Sequence, residues 1–273
     1  MLLLRRLFDD INASEGTDYR VSWAVLNAAD YGVPQVRMRF FMVGHREGRA
    51  FAFPSPTHAA PGKPGLPTYA TAWDAIGGLE VDPAEDLRIR GKWADLVPSI
   101  PEGQNYLWHT DRRGGLPLFG WRTRFWSFLL KLSKSKPSWT LQAQSGPATG
   151  PFHWENRRLS IREMARIQTI PDEVDFCGSR TSVQRQIGNA VPSLLAEIIG
   201  REVRLQLLDT GNDEVARLVV SPRRPTPLSE KPAPVHTKYL HLVGKYDAHP
   251  GPGKGPMAAT RAKSEGQDSV RST

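Results

Sequence analysis

One cysteine, Cys177, is the only thiol in this 273-residue sequence. That excludes an intrachain disulfide and any zinc site built from several cysteines, so the sequence points neither to an oxidising compartment nor to a metal. Long apolar runs are missing too: no stretch of 18 apolar residues occurs, and no membrane-spanning helix is expected. Residues 1–8 place their two arginines behind the first leucines and lack a long apolar core, the wrong order for a secretory signal. A cytoplasmic protein is the expectation. Hydrophobic residues make up 39% of the chain, with the shortfall toward the C-terminus, so one compact core holding every residue is not expected.

Acidic residues are scarce relative to basic ones. Thirty-six Lys and Arg against 28 Asp and Glu leave a net charge of +8, which favours a polyanionic partner and makes nucleic acid the leading candidate. A basic disordered tail would produce part of the same excess.

What is abundant is proline and glycine, 23 and 24 residues, which implies that much of the chain is loop. Apolar residues Leu3, Leu4, Leu7, Phe8 and Ile11 share one helical face and predict a buried amphipathic helix. Two β-rich runs, 19–26 and 37–43, flank a loop with Gly32 and Pro34 and can be neighbouring strands of one sheet. Pro54, Pro56, Pro61, Pro64 and Pro67 exclude regular helix or a central strand there. Residues 68–150 alternate short patterned pieces with Gly and Pro clusters and hold most of the tryptophans, the composition of an irregular module.

Regular structure returns at Ser160, whose spacing to Glu163 is that of a capping box, and Pro171 stops that helix. A second helix is expected from about Pro192, carrying Leu194, Leu195, Ile198, Ile199, Val203, Leu205 and Leu208 on a wide apolar face. From Thr210, and above all from Ser221, the chain cannot bury enough apolar area to offset its ordering entropy. Residues 209–273 therefore read as a mostly disordered basic tail. Within it, Tyr239, Leu240, Leu242, Val243 and Tyr246 form one apolar island, suited to a short docking segment.

The most informative segment is Tyr31-Gly32-Val33-Pro34-Gln35-Val36-Arg37-Met38-Arg39. On a strand Arg37 and Arg39 face the same side, and beside a rigid Gly-Val-Pro turn two guanidiniums make a fixed reader of anions or base edges. The same spacing suits a solvated strand face. Two further segments follow in order: Arg158-Leu159-Ser160-Ile161-Arg162-Glu163-Met164-Ala165-Arg166-Ile167-Gln168, then Gln186-Ile187-Gly188-Asn189-Ala190-Val191-Pro192.

Together the three segments resemble the eighth, ninth and tenth motifs of the cytosine-5 DNA methyltransferases, and the chain as a whole resembles the C-terminal part of such an enzyme. The resemblance implies an α/β fold: the last strands of a Rossmann-like, S-adenosylmethionine-dependent sheet, plus a loop-rich target-recognition domain. It assigns residues 1–45 to the catalytic domain, 46–150 to target recognition and 151–208 to the return into the catalytic domain. It implies that Arg39 contacts a flipped cytosine and that Arg37 and Gln35 support the pocket and nearby phosphates. Asn189 and Ala190 would approach S-adenosyl-L-methionine, while Arg162, Glu163 and Arg166 would brace the recognition domain. Within the recognition interval Arg112, Arg113, Arg122, Arg124, Lys131, Lys134 and Lys136 alternate with Trp121, Phe125 and Trp126 and are candidates for DNA contact.

The family's reaction needs a thiolate from Pro-Cys-Gln, an acid from Glu-Asn-Val and a Gly-containing cofactor loop, and none of these occurs here. Cys177, in Phe-Cys-Gly, lies where the resemblance places no nucleophile. Glu155-Asn156 continues with Arg157 and is a chance match. Gly251-Pro252-Gly253-Lys254-Gly255 has neither the preceding strand nor the following helix of a phosphate cradle. The expectation is a methyltransferase part that needs an N-terminal methyltransferase polypeptide for activity. A non-catalytic DNA-binding module, an inactive remnant, and part of an RNA cytosine methyltransferase are the alternatives.

Overall fold

The computed structural model describes residues 2–210, 215–222 and 225–246. The glycine-rich run 251–255 and the rest of the expected tail beyond 246 lie outside the described residues. The chain forms two compact units: one from the described residues of Met1–Asp82, Lys134–Gln144 and Ser160–Thr226, the other from those of Pro83–Ser133, Ser145–Leu159 and Pro227–Thr273. This division differs from the expected boundaries at 46 and 150. The proline-rich segment and residues 134–144 belong to the first unit because their backbone bonds run to it, as in Thr57 N–H to the Asp30 carbonyl and Val36 N–H to the Ser138 carbonyl.

The first unit opens with helix α1 (Leu2–Glu15), followed by strands β1 (Arg20–Asn27) and β2 (Met38–His45). The strands pair antiparallel with Leu26 opposite Arg39 and Trp23 opposite Met42, so residues of alternate parity divide between two faces. One face is covered: Leu26 is buried, and Ala24, Phe41 and Val43 pack with it on Leu194, Leu195 and Ile199. Those three residues come from α5 (Ser193–Leu207), which starts at the expected place with Pro192 as its N-cap. Leu207 is buried on this face, whereas Leu205 and Leu208, expected there, are 45% and 57% exposed. Both lie at the C-terminal end of α5, beyond the turns that carry Leu194, Leu195 and Ile199.

The other face of the hairpin is uncovered in the described structure. Trp23, Val25, Met38, Phe40 and Met42 are each between 38% and 54% exposed. Helix α1 corrects its expectation in the same way: Leu3, Leu4, Leu7 and Ile11 are exposed, and only Phe8 finds a ring, that of Tyr19 at 5.7 Å. Among the described residues the sheet consists of this one pair, which alone is too small to be stable in water.

Three short helices complete the unit: α2 (Ala72–Ile76), α3 (Ile161–Ile167) and α4 (Arg180–Asn189). The box closing α3 is present in full, with the Ser160 hydroxyl accepting from the Glu163 N–H and the buried Glu163 carboxylate accepting from the Ser160 N–H. A matching box of Thr71 and Asp74 caps α2. The short α4, unforeseen from sequence, is announced by its Ser179 cap and by Val183 and Ile187 one turn apart on its buried side.

The second unit has no α-helix and no extended sheet among its described residues. Its backbone is tied by 3-10 turns at Ala94–Ser99, Tyr106–His109 and Thr237–Leu242 and by isolated bridges such as Phe128 to Thr149. An aromatic and aliphatic core of Leu96, Ile100, Tyr106, Phe119, Phe128, Phe152 and Tyr239 holds it together. Tyr239 corrects the tail expectation in part: its ring is buried in this core, with Val235 and Leu242 packed against the same cluster. The apolar island supplies the buried ring, and the sequence around it is too polar to form a core alone.

His109 is buried in this unit, its Nδ1 donating to the Leu116 carbonyl at 3.1 Å and its Nε2 lying 2.9 Å from the Ser99 hydroxyl. Burial pulls its pKa below the usual histidine value, only partly countered by the bond to Leu116. The unfolded chain therefore takes up this proton first as pH falls. The stability contributed by His109 is whole above about pH 6.5 and declines below it. The thermal midpoint should fall between pH 7.5 and 5.5, and His109→Asn should flatten that dependence; a full wild-type slope in the variant would refute the assignment.

Glycine at 188 is required by close approach, because a Cβ there would lie 2.5 Å from the Ala143 backbone, while a Cβ at Gly200 meets nothing within 4 Å. Gly188→Ala should cost about 1–3 kcal/mol through overpacking. Gly200→Ala, inside α5, should be neutral or stabilise by up to about 1 kcal/mol. Denaturant unfolding of both variants reads the contrast.

Candidate functional site

Between β1 and β2 the chain makes a tight corner. The Asn27 side-chain oxygen accepts from the N–H groups of Ala29 and Arg37, pinning both ends of the connection. The 3-10 turn Ala28–Tyr31 ends on Gly32 at φ 83°, a left-handed conformation that favours glycine. Beyond it Val36 donates to the Ser138 carbonyl and Ser138 donates to the Pro34 carbonyl, so residues 34–36 run beside 138 like a short strand.

This corner delivers Arg37 into the interior of the first unit. The residue is 1% exposed and its guanidinium donates to four oxygens: Gln35 Oε1 at 3.3 Å, Leu141 O at 3.3 Å, Gly188 O at 2.6 Å and Ala190 O at 3.1 Å. Gln35 is itself fully buried. Burial lowers the Arg37 pKa to about 10, with the like charge of Arg39 adding to the effect. Arg37 and Gln35 are therefore structural as the chain stands, joining the β1–β2 corner to the segment 188–190 through backbone oxygens.

Arg39 and Asn189 border this joint. Arg39 is half-buried and its guanidinium donates to the Met38 carbonyl at 2.7 Å. Asn189, the last residue of α4, is exposed, and its side chain makes no hydrogen bond among the described residues. Ala190 is partly buried and spends its carbonyl on Arg37. Helix α3 is locked to the same region, with Gln168 Nε2 donating to the Ile187 carbonyl at 2.8 Å and the Leu194 N–H to the Thr169 hydroxyl at 2.9 Å. Arg162 and Arg166 pair with Asp172, at 2.9 Å and 2.5 Å, and these bonds hold its carboxyl far below the usual range.

The candidate DNA contacts lie mostly in the second unit and divide by burial. Lys131 is buried there with Nζ donating to Asn156, and Lys134, in the first unit, is buried as well; neither is a surface phosphate contact. Arg112, Arg113, Arg122 and Arg124 are exposed, as are Phe125 and Trp126. Three of the guanidiniums converge on one indole: Arg112, Arg113 and Arg122 sit 5.1, 5.9 and 5.8 Å from the Trp121 ring centre. Arg122 has φ 56°, a left-handed backbone that costs a non-glycine residue about 1 kcal/mol. The alternation of these cations and aromatics is visible in the sequence, but not that Trp121 gathers three of the arginines. No His, Cys, Asp and Glu cluster suited to a metal occurs among the described residues, and no described helix is long and apolar enough to cross a membrane. Cys177 is exposed and unpaired by disulfide.

Replacing Arg37 would strand buried carbonyls and empty the joint. Arg37→Met should lower stability by about 3 kcal/mol. Arg37→Lys should lose much of the same amount, because an ammonium cannot span four acceptors that a planar fork reaches together. A wild-type melting temperature in Arg37→Met would show that the joint contributes nothing.

A family model described as C-5 cytosine-specific DNA methylase matches residues 5–204. The type II methyltransferase M.SacI of Streptomyces achromogenes is 46% identical over 206 residues, covering 69% of this chain and 53% of that protein. M.NgoFVII of Neisseria gonorrhoeae is 38% identical over 183 residues, covering 65% of this chain and 48% of that protein. M.BsuRI of Bacillus subtilis is 34% identical over 215 residues, covering 74% and 45%. The chain spans about half the length of the curated relatives it matches. With a match running through the β1–β2 corner, the interval after it and the helices that close on Arg37, the chain belongs to the C-5 cytosine-specific DNA methylase family.

Proposed function

We propose that this chain is the C-terminal, DNA-gripping part of a DNA (cytosine-5)-methyltransferase of a restriction-modification system, with its recognition surface in the second unit. The observation that carries the reading is the convergence of Arg112, Arg113 and Arg122 on Trp121, with no salt bridge from any of them to a carboxylate among the described residues. Three like charges around one ring repel one another, and a polyanion such as a DNA backbone relieves that repulsion.

Completion of the active site falls to an N-terminal methyltransferase segment or polypeptide bearing the attacking thiol. Two features support it: the sequence has no Pro-Cys-Gln, and the apolar faces of α1 and the β1–β2 hairpin lie open. A matching apolar surface would cover both faces. S-adenosyl-L-methionine supplies the methyl group when bound, and the exposed amide of Asn189 beside Ala190 fits one wall of its site. Arg39 would face the O2 side of the extruded cytosine, where negative charge develops. Arg37 and Gln35 would act on it by holding the corner on which Arg39 stands, a positioning role.

The test uses the purified chain alone and mixed with a polypeptide carrying Pro-Cys-Gln and Glu-Asn-Val. Alone it should bind double-stranded DNA with strong salt dependence and transfer no methyl from labelled S-adenosylmethionine; the mixture should transfer it. Turnover by the chain alone, abolished in Cys177→Ser, would overturn the missing-thiol reading. Failure of any mixture to turn over while DNA binding persists would favour a non-catalytic module, and preference for RNA over DNA would shift the substrate class.

A further inference from the structure

Residues 227–246 lie beyond the stretch matched by the family, yet they are fastened into the second unit along their length. The Ser229 hydroxyl donates to Glu102, Ala233 N–H to the Pro98 carbonyl, and Gly244 N–H to the Pro117 carbonyl. Tyr239 is 3% exposed, stacks on Trp93 at 5.7 Å with planes 16° apart, and donates its hydroxyl to the Lys92 carbonyl at 2.7 Å. Lys238 is ion-paired with Asp95. A segment anchored at this many points presents its last residues in fixed positions.

Those last residues wall a cavity of about 700 Å³ together with residues 92–93, 118–120 and 123–124. Its charged lining residues are Lys92, Arg124 and Lys245, and no carboxylate lines it among the described residues. Asp95, two residues beyond Trp93, is already committed to Lys238. Arg124 is held from behind, since its N–H donates to the Tyr106 hydroxyl and its carbonyl accepts from that hydroxyl. Lys92 Nζ lies 4.9 Å from the centre of the Trp93 ring, a low-dielectric wall that concentrates the positive potential.

We infer that this cavity is a phosphate-binding site for the nucleic-acid backbone, formed jointly by Lys92, Arg124 and the added segment's Lys245. It rests on the DNA-binding reading above and extends the contact surface beyond the Trp121 cluster. A phosphodiester, rather than a stacked base, fits the walls. Trp93 is engaged by Tyr239, Phe119 and Phe128, so its ring is not a free platform for a base. Contacts of this kind position the protein and carry no sequence preference.

The experiment measures binding of the full chain to two double-stranded oligonucleotides of unrelated sequence across a range of salt concentrations. Lys92→Ala and Lys245→Ala change exposed side chains, and unchanged melting temperatures confirm that they fold. Each should weaken binding to both duplexes about 5-fold or more and reduce the salt slope by about 1. Lys245→Glu should weaken it further. Folded variants with wild-type affinity and slope would overturn the site while leaving the DNA reading intact. Weakening on one duplex alone would also overturn it, because a phosphate contact acts on both. If the wild-type chain binds neither duplex, the DNA reading itself fails and this inference falls with it.

Discussion

The architecture of the first unit turns on one buried cation. Arg37 carries a charge into a nearly dry interior, and such a charge is tolerated only when its donors meet acceptors. The acceptors are three backbone carbonyls and one amide oxygen, drawn from residues 35, 141, 188 and 190. No carboxylate neutralises it in these bonds, so the side chain reads backbone shape. Once Arg37 is in place, the β1–β2 corner, the segment around Leu141 and the end of α4 have little freedom to move apart. The same constraint explains Gly188, where the backbones of 188 and 143 approach too closely for a side chain.

Around that joint the unit shows an asymmetry of burial. One side of the hairpin is sealed by α5 through Leu26, Leu194, Leu195 and Ile199, while Trp23, Val25, Met38, Phe40 and Met42 remain open on the other. Scattered exposed apolar side chains are ordinary, whereas here a contiguous stripe and the apolar residues of α1 are open together. The second unit reaches stability by other means. Its core is built from aromatic rings at tilted, perpendicular and stacked contacts, with Trp93 central to three of them. A fold of this kind leaves long loops free to carry arginines, as the surroundings of Trp121 show.

Much of this was legible in the residues. The alternation in 19–26 and 37–43 marked both strands, Ser160 and Glu163 marked the start of α3, and Pro192 marked the start of α5, because each depends on neighbours within a few residues. The three ordered segments carry the resemblance to the family, and the match over residues 5–204 agrees. Less legible was the side to which a residue turns. Lys131 and Lys134 read as surface cations and are buried, and Leu205 and Leu208 read as core and are exposed.

The sequence by itself determined the local elements, the excess of positive charge and the family, since these depend on composition and short-range spacing. Only the tertiary structure decided that Arg37 is an internal brace while Arg39, two residues on, is not. It also decided that three arginines gather on Trp121, and that Tyr239, more than a hundred residues from Trp93, completes an aromatic core. The physical reason is common to all three. Burial and pairing are set by contacts between residues distant along the chain, and such contacts leave no periodic trace in the order of residues.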